Sequence, residues 1–457
     1  MVLVIYAMDA GYKFHFKNAL WTALVLVLSA CKKDGAEPDY PAGSNQYIND
    51  WILDSMQVYY YWNSSLPRNP DLNKDPLPFF ATLKNPQDRF SRIYHNAVPE
   101  SYLPSPVQHF GLELILYSAG GGAPQATVAL VVPGSRAAAA GLQRGQRITH
   151  IDGTAPTAGN IQNLIGAAIA QRSITLDVAE AGKITIPAGT VSENPVYLYK
   201  TFNDSPTPVA YLFYNSFDGR YRHDLVQAFD AFRQAGAKEL IIDLRYNAGG
   251  DVGVCAALVA ALCPVDDTDI FIEYRGNQRA GIRRETFAKT ISKTYSGTPF
   301  PFAGIRSMRL PLSRVFILTG RHTASAAEFL IQSLRPWTAV IQIGETTLGK
   351  DMASFSIRDN NANKNNAWHL EPLVFKLYNA HSEGDYPSGL APDIQRNELG
   401  GTLLPLGHPD DPLIREALER INGITAKART ALPDREPHIF YDSREAADRN
   451  TSFIVSP

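Results

Sequence analysis

The spacing of apolar residues changes along this chain, and each spacing predicts a different kind of structure. A largely apolar run of twelve residues, Ala19 to Ala30, follows Lys13 and Lys17. It is shorter than the roughly 20 residues that cross a bilayer as a helix and has the length of a secretory signal. Between residues 44 and 62, Ile48, Trp51, Ile52, Met56, Tyr59 and Tyr60 recur at helical spacing behind a Ser44-Asn45 cap, which predicts an amphipathic helix with one buried face. From His109 to about Ile186, short apolar runs such as Ala126 to Val132 alternate with turn signals, the pattern of a small β domain. From about Val196 onward strands and helices alternate, as a parallel α/β sheet requires. Predicted strands run over Val209 to Phe213, Leu240 to Leu244, Val315 to Leu318 and Val340 to Ile343. Helices run from Leu225 to Ala235, from Val252 to Leu262, and from about Ala324 to Leu334, where Pro336 ends the last. Asp411 caps a final helix with Pro412 at its first position and Gly423 as its stop.

The chain therefore divides into a signal segment (1–30), a tether (31–43), a small helical N-terminal domain (44–106), a β domain (107–190), an α/β domain (196–423) and a charged, weakly periodic tail (424–457) expected to be partly disordered. No chemistry is assigned to the N-terminal domain. Charge adds an exclusion: 43 Lys and Arg against 45 Asp and Glu leave a net −2, and no basic stripe compensates. Nucleic acid is not an expected partner. Cys31 ends the run Leu28-Ser29-Ala30-Cys31, which resembles a bacterial lipobox. The resemblance implies a lipid on Cys31, a tether behind it, and a position at a membrane surface of the cell envelope. Cys255 and Cys263 lie eight apart, in or beside the predicted helix Val252 to Leu262. That separation is about 12 Å of rise, too long for a disulfide, so both are expected as buried thiols. No Cys/His set has metal-ligand spacing, so neither a structural zinc nor any other cofactor is expected.

Within the β domain, the stretch from Pro133 to Gly153 reads as turn, short Ala helix, Gly stop and a strand ending in Asp-Gly. It resembles the PDZ domains of bacterial proteases. Phe110, Gly111 and Leu112 fall where such a domain has its carboxylate-binding loop, whose N–H groups capture a peptide C-terminus while the next strand pairs with the peptide. Glu113 departs from that pattern, since a carboxylate facing the loop repels a substrate terminus. The alternative is a PDZ-like domain that only braces its neighbour.

Ser325 stands at a strand-turn-helix junction, where a hydroxyl is presented from a rigid element and the following N–H groups point at what it attacks. The same residues, Ser325-Ala326-Ala327-Glu328, also match a capping box. Two further segments change the balance. Asp243-Leu244-Arg245-Tyr246-Asn247-Ala248-Gly249-Gly250 precedes the serine, and Gly349-Lys350 follows it by 25 residues. In order and spacing these three segments, behind a PDZ-like stretch, resemble the carboxy-terminal processing (tail-specific) serine peptidases. Ser388-Gly389-Leu390-Ala391-Pro392-Asp393-Ile394 adds a match to that family's late Gly-x-x-Pro-Asp segment, and the resemblance spans roughly residues 44–423.

The resemblance implies a multidomain α/β protein with a crotonase/Clp-like catalytic core that hydrolyses exported polypeptides. It implies Ser325 as nucleophile, Lys350 as base, and an oxyanion hole from Gly249, Gly250 and Ala326. A lysine can act as base only when neutral, and burial lowers its pKa from ~10.4 toward the working pH. The family's Gln four residues after the lysine, which orients the amine, is Ser354 here. Asp243, Arg245 and Asn247 are expected to buttress the glycine turn. His322 is a second candidate base, expected in an exposed or capping turn position. Ser354 and Glu113 together motivate a different functional class, a catalytically silent peptide-binding scaffold. Non-proteolytic acyl chemistry on a crotonase-like core is a third, resting on fold analogy alone.

Overall fold

The computed structural model describes residues 40–101, 105–119, 121–361, 363, 365–424 and 437–445. The signal segment, most of the tether and Cys31 lie outside the described residues. Among the described residues, no helix is long and apolar enough to cross a membrane.

The predicted N-terminal helix spans Asn45–Tyr59, with the Ser44 hydroxyl accepting from the Tyr47 N–H. Ile48, Ile52, Met56 and Tyr60 are buried as expected, but Tyr59 is 40% exposed and leaves the stripe. This region is not a separate body. Its core includes Trp368 and Leu370 from far along the chain, and strand Arg92–Tyr94 pairs antiparallel with His369–Glu371.

The β domain is a six-stranded antiparallel sheet flanked by helix Ile161–Ala170. Helix Pro106–Phe110 ends at Gly111, whose left-handed φ of 80° turns the chain into strand Leu112–Ser118. That strand is buried along its whole length. Leu112, Leu114 and Leu116 join the domain core, whereas Ile115 and Tyr117 pack against Leu399 and Leu403 of the α/β domain. The outer strand of this sheet is His438–Asp442, paired antiparallel with Leu112–Ser118. The expectation of a weakly structured tail therefore fails for these residues. Their pairing partner is over 300 positions earlier, which no local pattern records.

The α/β domain is a second six-stranded sheet, parallel except at the edge formed by Val196–Phe202. Alternate strand residues serve its two faces. Leu240, Ile242, Val315 and Ile317 pack against helices Arg222–Gln234, Val252–Leu262 and Ala326–Leu334. Ile241, Phe316 and Leu318 pack against Leu413, Ile414 and Ala417 of helix Pro412–Ile421, together with Leu130 of the PDZ-like domain. Burial on both faces explains the near-continuous apolar strands. Cys255 and Cys263 are buried and free, at the start of helix Val252–Leu262 and just past its end.

Candidate active site

Parallel strands end together, so the turns that leave them converge. Strand Glu239–Asp243 runs into the Asn247-Ala248-Gly249-Gly250 turn, and strand Arg314–Thr319 runs into the turn that carries Ser325. Hydrogen bonds join the two turns: Thr323 Oγ1 donates to the Leu244 carbonyl at 2.8 Å and the Ala324 N–H to the Asn247 carbonyl at 3.0 Å.

Ser325 has φ 60° and ψ −118°, a conformation that L-residues rarely adopt and that persists only where the surroundings enforce it. The side chain is fully buried. Ser325 and Glu328 keep a capping-box arrangement, yet Oγ has no partner at hydrogen-bond geometry. A buried unpaired hydroxyl is costly, and functional sites are where such groups are tolerated. Cap and nucleophile thus draw on the same residues, and the hydroxyl is left available.

Sequence reasoning gave Glu328 only its capping role, but it does more. Its carboxylate accepts from the N–H of Ser325 at 2.8 Å, of Gly349 at 2.7 Å and of Lys350 at 2.8 Å, and from Thr347 Oγ1 at 2.5 Å. Burial pushes its pKa upward and these four donors pull it back. One carboxylate therefore ties the backbone of the nucleophile candidate to that of the lysine. The Ser388-to-Asp393 segment backs the same loop: Leu390 N–H donates to Thr347 Oγ1 at 2.7 Å, and a Cβ on Gly349, at φ 87°, would lie 2.7 Å from the Gly389 nitrogen.

Lys350 is 2% exposed. Burial first, and then the charge of Arg92, lower its amine to about 7, against the opposing pull of Glu371, Glu328 and Asp88. The Phe90 ring centroid lies 5.6 Å from Nζ. Asp351, the ordinary partner for an exposed loop lysine, instead faces Lys376 at 3.7 Å. Asp88, Phe90 and Arg92 all belong to the N-terminal domain, to which sequence reasoning assigned no chemistry. Arg89 of the same segment donates to the Leu348 and Pro387 carbonyls and braces the lysine loop directly. Ser354 is buried in strand Met352–Ser354, opposite Leu373, whose N–H is held by Ser91.

Gly249 and Gly250 take φ values of 109° and 136°. A Cβ on Gly249 would lie 2.7 Å from the Ser325 Cβ and 3.0 Å from the Ala326 nitrogen, so this glycine is what lets the two turns meet. The Gly249 N–H donates to Asn247 Oδ1 at 2.8 Å and is thereby occupied. Of the two glycines grouped as donors, Gly250 is the one whose N–H Asn247 does not hold, and the Ala326 N–H lies at the open first turn of helix Ala326–Leu334. Asn247 buttresses the turn, whereas Asp243 and Arg245, just before it, belong to a buried ion cluster. The Arg245 guanidinium is 1% exposed and bonds Asp243, Asp411 and Glu398. Arg144 of the PDZ-like domain reaches the same Glu398 at 2.8 Å and the Tyr246 hydroxyl at 3.0 Å.

His322 departs from expectation. It is 4% exposed, and its Nε2 lies 2.9 Å from an Asp442 carboxylate oxygen. The cause is the tail strand, which carries Asp442 into the site. Ser325 Oγ is hydrogen-bonded to neither His322 nor Lys350 in this arrangement, and the His322 Nε2 is engaged by Asp442. Glu113 is also buried, bonded to Ser105 Oγ at 3.3 Å and to Ser443 Oγ, and burial lifts its carboxyl to about 8. It faces the tail rather than an open loop at Phe110, Gly111 and Leu112.

Known proteins are similar to this chain. Residues 208–396 match the family model for peptidase family S41, residues 47–92 that for the peptidase S41 N-terminal domain, and residues 127–180 that for a PDZ domain. A carboxyl-terminal-processing protease of Picosynechococcus is 25% identical over 236 residues, which cover 49% of this chain and 50% of that protein. The carboxy-terminal processing protease CtpA of Bacillus subtilis is 22% identical over 270 residues, covering 58% of this chain and 52% of CtpA. The chain thus spans about half the length of these curated relatives. The crystal structure of a protein designated an S41 protease, from Bacteroides fragilis, is 28% identical with a TM-score of 0.67, covering 85% of this chain and all of that one. With that family's N-terminal, PDZ and peptidase parts in one chain, this protein is a member of peptidase family S41.

Proposed function

We propose that the protein is a serine endopeptidase that cleaves polypeptides through a Ser325–Lys350 dyad. The neutral Lys350 amine takes the Ser325 hydroxyl proton as Oγ attacks the scissile carbonyl carbon. The carbonyl electron pair moves to oxygen, and the N–H groups of Gly250 and Ala326 hold that oxyanion. Collapse breaks the C–N bond, and the Lys350 ammonium returns its proton to the leaving amine. Water, deprotonated by the same lysine, then hydrolyses the acyl-serine. The observation that carries this reading is a strained, unpartnered, buried serine hydroxyl whose backbone shares one carboxylate with a buried lysine of lowered pKa. Acid-quenching a reaction with β-casein and mapping the adducts tests it. A peptide ester on Ser325 is expected, and casein cleavage without any adduct on Ser325 would exclude the mechanism.

Two observations favour the silent scaffold as the second reading: Gly249 N–H is occupied by Asn247, and Ser354 replaces an amide beside the lysine. Casein left intact by the folded chain would support it.

We also infer that a lipid on Cys31 holds the enzyme at a membrane surface of the cell envelope, on the strength of the Leu-Ser-Ala-Cys sequence. Palmitate should label the expressed chain, and equal labelling of Cys31→Ser would remove the inference.

A further inference from the structure

The tail strand lies where the PDZ-like domain would receive a peptide. His438 pairs with Ser118, Ile439 with Tyr117, Tyr441 with Leu116 and Asp442 with Ile115, so the segment runs antiparallel toward the Phe110-Gly111-Leu112 loop. The Ser443 N–H then donates to the Leu114 carbonyl at 3.0 Å, and the Leu114 N–H to Ser443 Oγ at 2.8 Å. This is strand addition to an exposed edge, in which main-chain bonds supply affinity and alternate side chains supply specificity. Tyr441 packs on the PDZ-like core and Ile439 on its opposite face.

The occupant does not end at the loop with a free carboxylate. Glu113, which follows the loop, bonds Ser443 Oγ, and the chain continues to Arg444. The Arg444 guanidinium lies 4.3 Å from the Tyr246 ring centroid and pairs with Asp442 at 2.7 Å. Asp442 in turn bonds His322, three residues before Ser325, and Arg321. Tyr246 opens the turn that carries Gly249 and Gly250. One segment therefore blocks the peptide edge and fastens the turns on both sides of the serine. Between them lies a cavity of about 160 Å³ whose lining includes Glu113, Ala248, His322 and Arg444.

We propose that residues 438–444 are a built-in ligand of the PDZ-like edge, and that substrate enters as an extended internal segment that displaces them, with its hydroxyl and basic side chains taking the places of Ser443 and Arg444. Displacement removes Asp442 from His322 and Arg444 from Tyr246, so docking at the edge and loosening of the active-site turns are one event. The activity consequence rests on the peptidase reading; occupation of the edge does not.

A fluorescein-labelled peptide spanning residues 437–445 tests this by anisotropy on three full-length forms: unaltered, tail-loosened Asp442→Ala/Arg444→Ala, and tail-locked Ser118→Cys/His438→Cys after oxidation. The loosened form should bind at least tenfold more tightly than the unaltered chain. The locked form should bind nothing until it is reduced. Equal affinity in locked and reduced forms overturns the proposal, as does absence of binding to a loosened form whose circular dichroism is unchanged. Casein turnover, measured in parallel, should rise severalfold in the loosened form and vanish in the locked one. If all three forms lack turnover while the peptide results hold, the peptidase reading fails and the built-in ligand stands.

Discussion

Replacing Lys350 by Met should abolish casein turnover while making the protein more stable, a pairing of effects that separates a buried base from a structural lysine. Loss of the base leaves the Ser325 hydroxyl without a proton acceptor, and removing one member of a nucleophile–base pair lowers kcat by about 10⁴-fold or more. Ser325→Ala should show the same loss of turnover. The stability effect comes from linkage. Lys350 has a folded-state pKa of about 7, below the ~10.4 of an unfolded lysine. Between those values the unfolded state holds the extra proton, so stability rises with pH across that window; below about 7 the full penalty of burying the charge is present. Lys350→Met should therefore gain on the order of a few kcal/mol near neutral pH, with the gain fading toward pH 10. Urea unfolding at pH 6, 8 and 10 measures it. A lysine that merely braced the loop would give the opposite result, a variant less stable at every pH.

The second large effect is expected at Glu398. Burial alone would raise its carboxyl, but the charges of Arg144, Arg245 and Arg444 overcome this and hold it at about 2. Those three cations come from the PDZ-like domain, the glycine-turn strand and the tail, so Glu398 joins all three to the peptidase core. Glu398→Gln leaves their charges buried with one fewer counter-charge, which should cost about 3–5 kcal/mol. A depressed folded pKa contributes stability that is complete above about pH 4.3 and is lost as pH falls toward 2, so wild type and variant should converge in acid. Arg220→Ala serves as the control: that side chain is 72% exposed beside Asp218, and its loss should be minor. An unfolding midpoint for Glu398→Gln as little changed as that of Arg220→Ala would refute the role given to the cluster.

What the sequence makes legible follows from what is local. The strand-turn-helix junction at Ser325, the glycine turn, and the Gly349-Lys350 loop are short contiguous patterns, and each lies where the alternation of strands and helices implied. Helix Val252–Leu262 and the Asp411 cap were equally readable, because periodicity and capping act within a few residues. Three features were not. Glu328 reads as a cap from its spacing to Ser325; its bonds to Thr347, Gly349 and Lys350 exist only once two strands lie side by side. Phe90 and Arg92 border Lys350 because Arg92–Tyr94 pairs with His369–Glu371, a register set across more than 270 residues. The tail strand is five residues between charged stretches, too short to announce itself, and it reverses the expectation for His322 by burying it against Asp442.

The central claim is that Lys350 activates Ser325, and the most direct measurement is the rate at which a fluorophosphonate labels Ser325 between pH 5 and 10, in the unaltered chain and in Lys350→Met. The dyad predicts labelling that rises through an apparent pKa near 7 in the unaltered chain and is absent from the folded variant. Labelling that ignores pH and survives Lys350→Met would contradict the dyad, and no labelling of the folded unaltered chain would favour the silent scaffold.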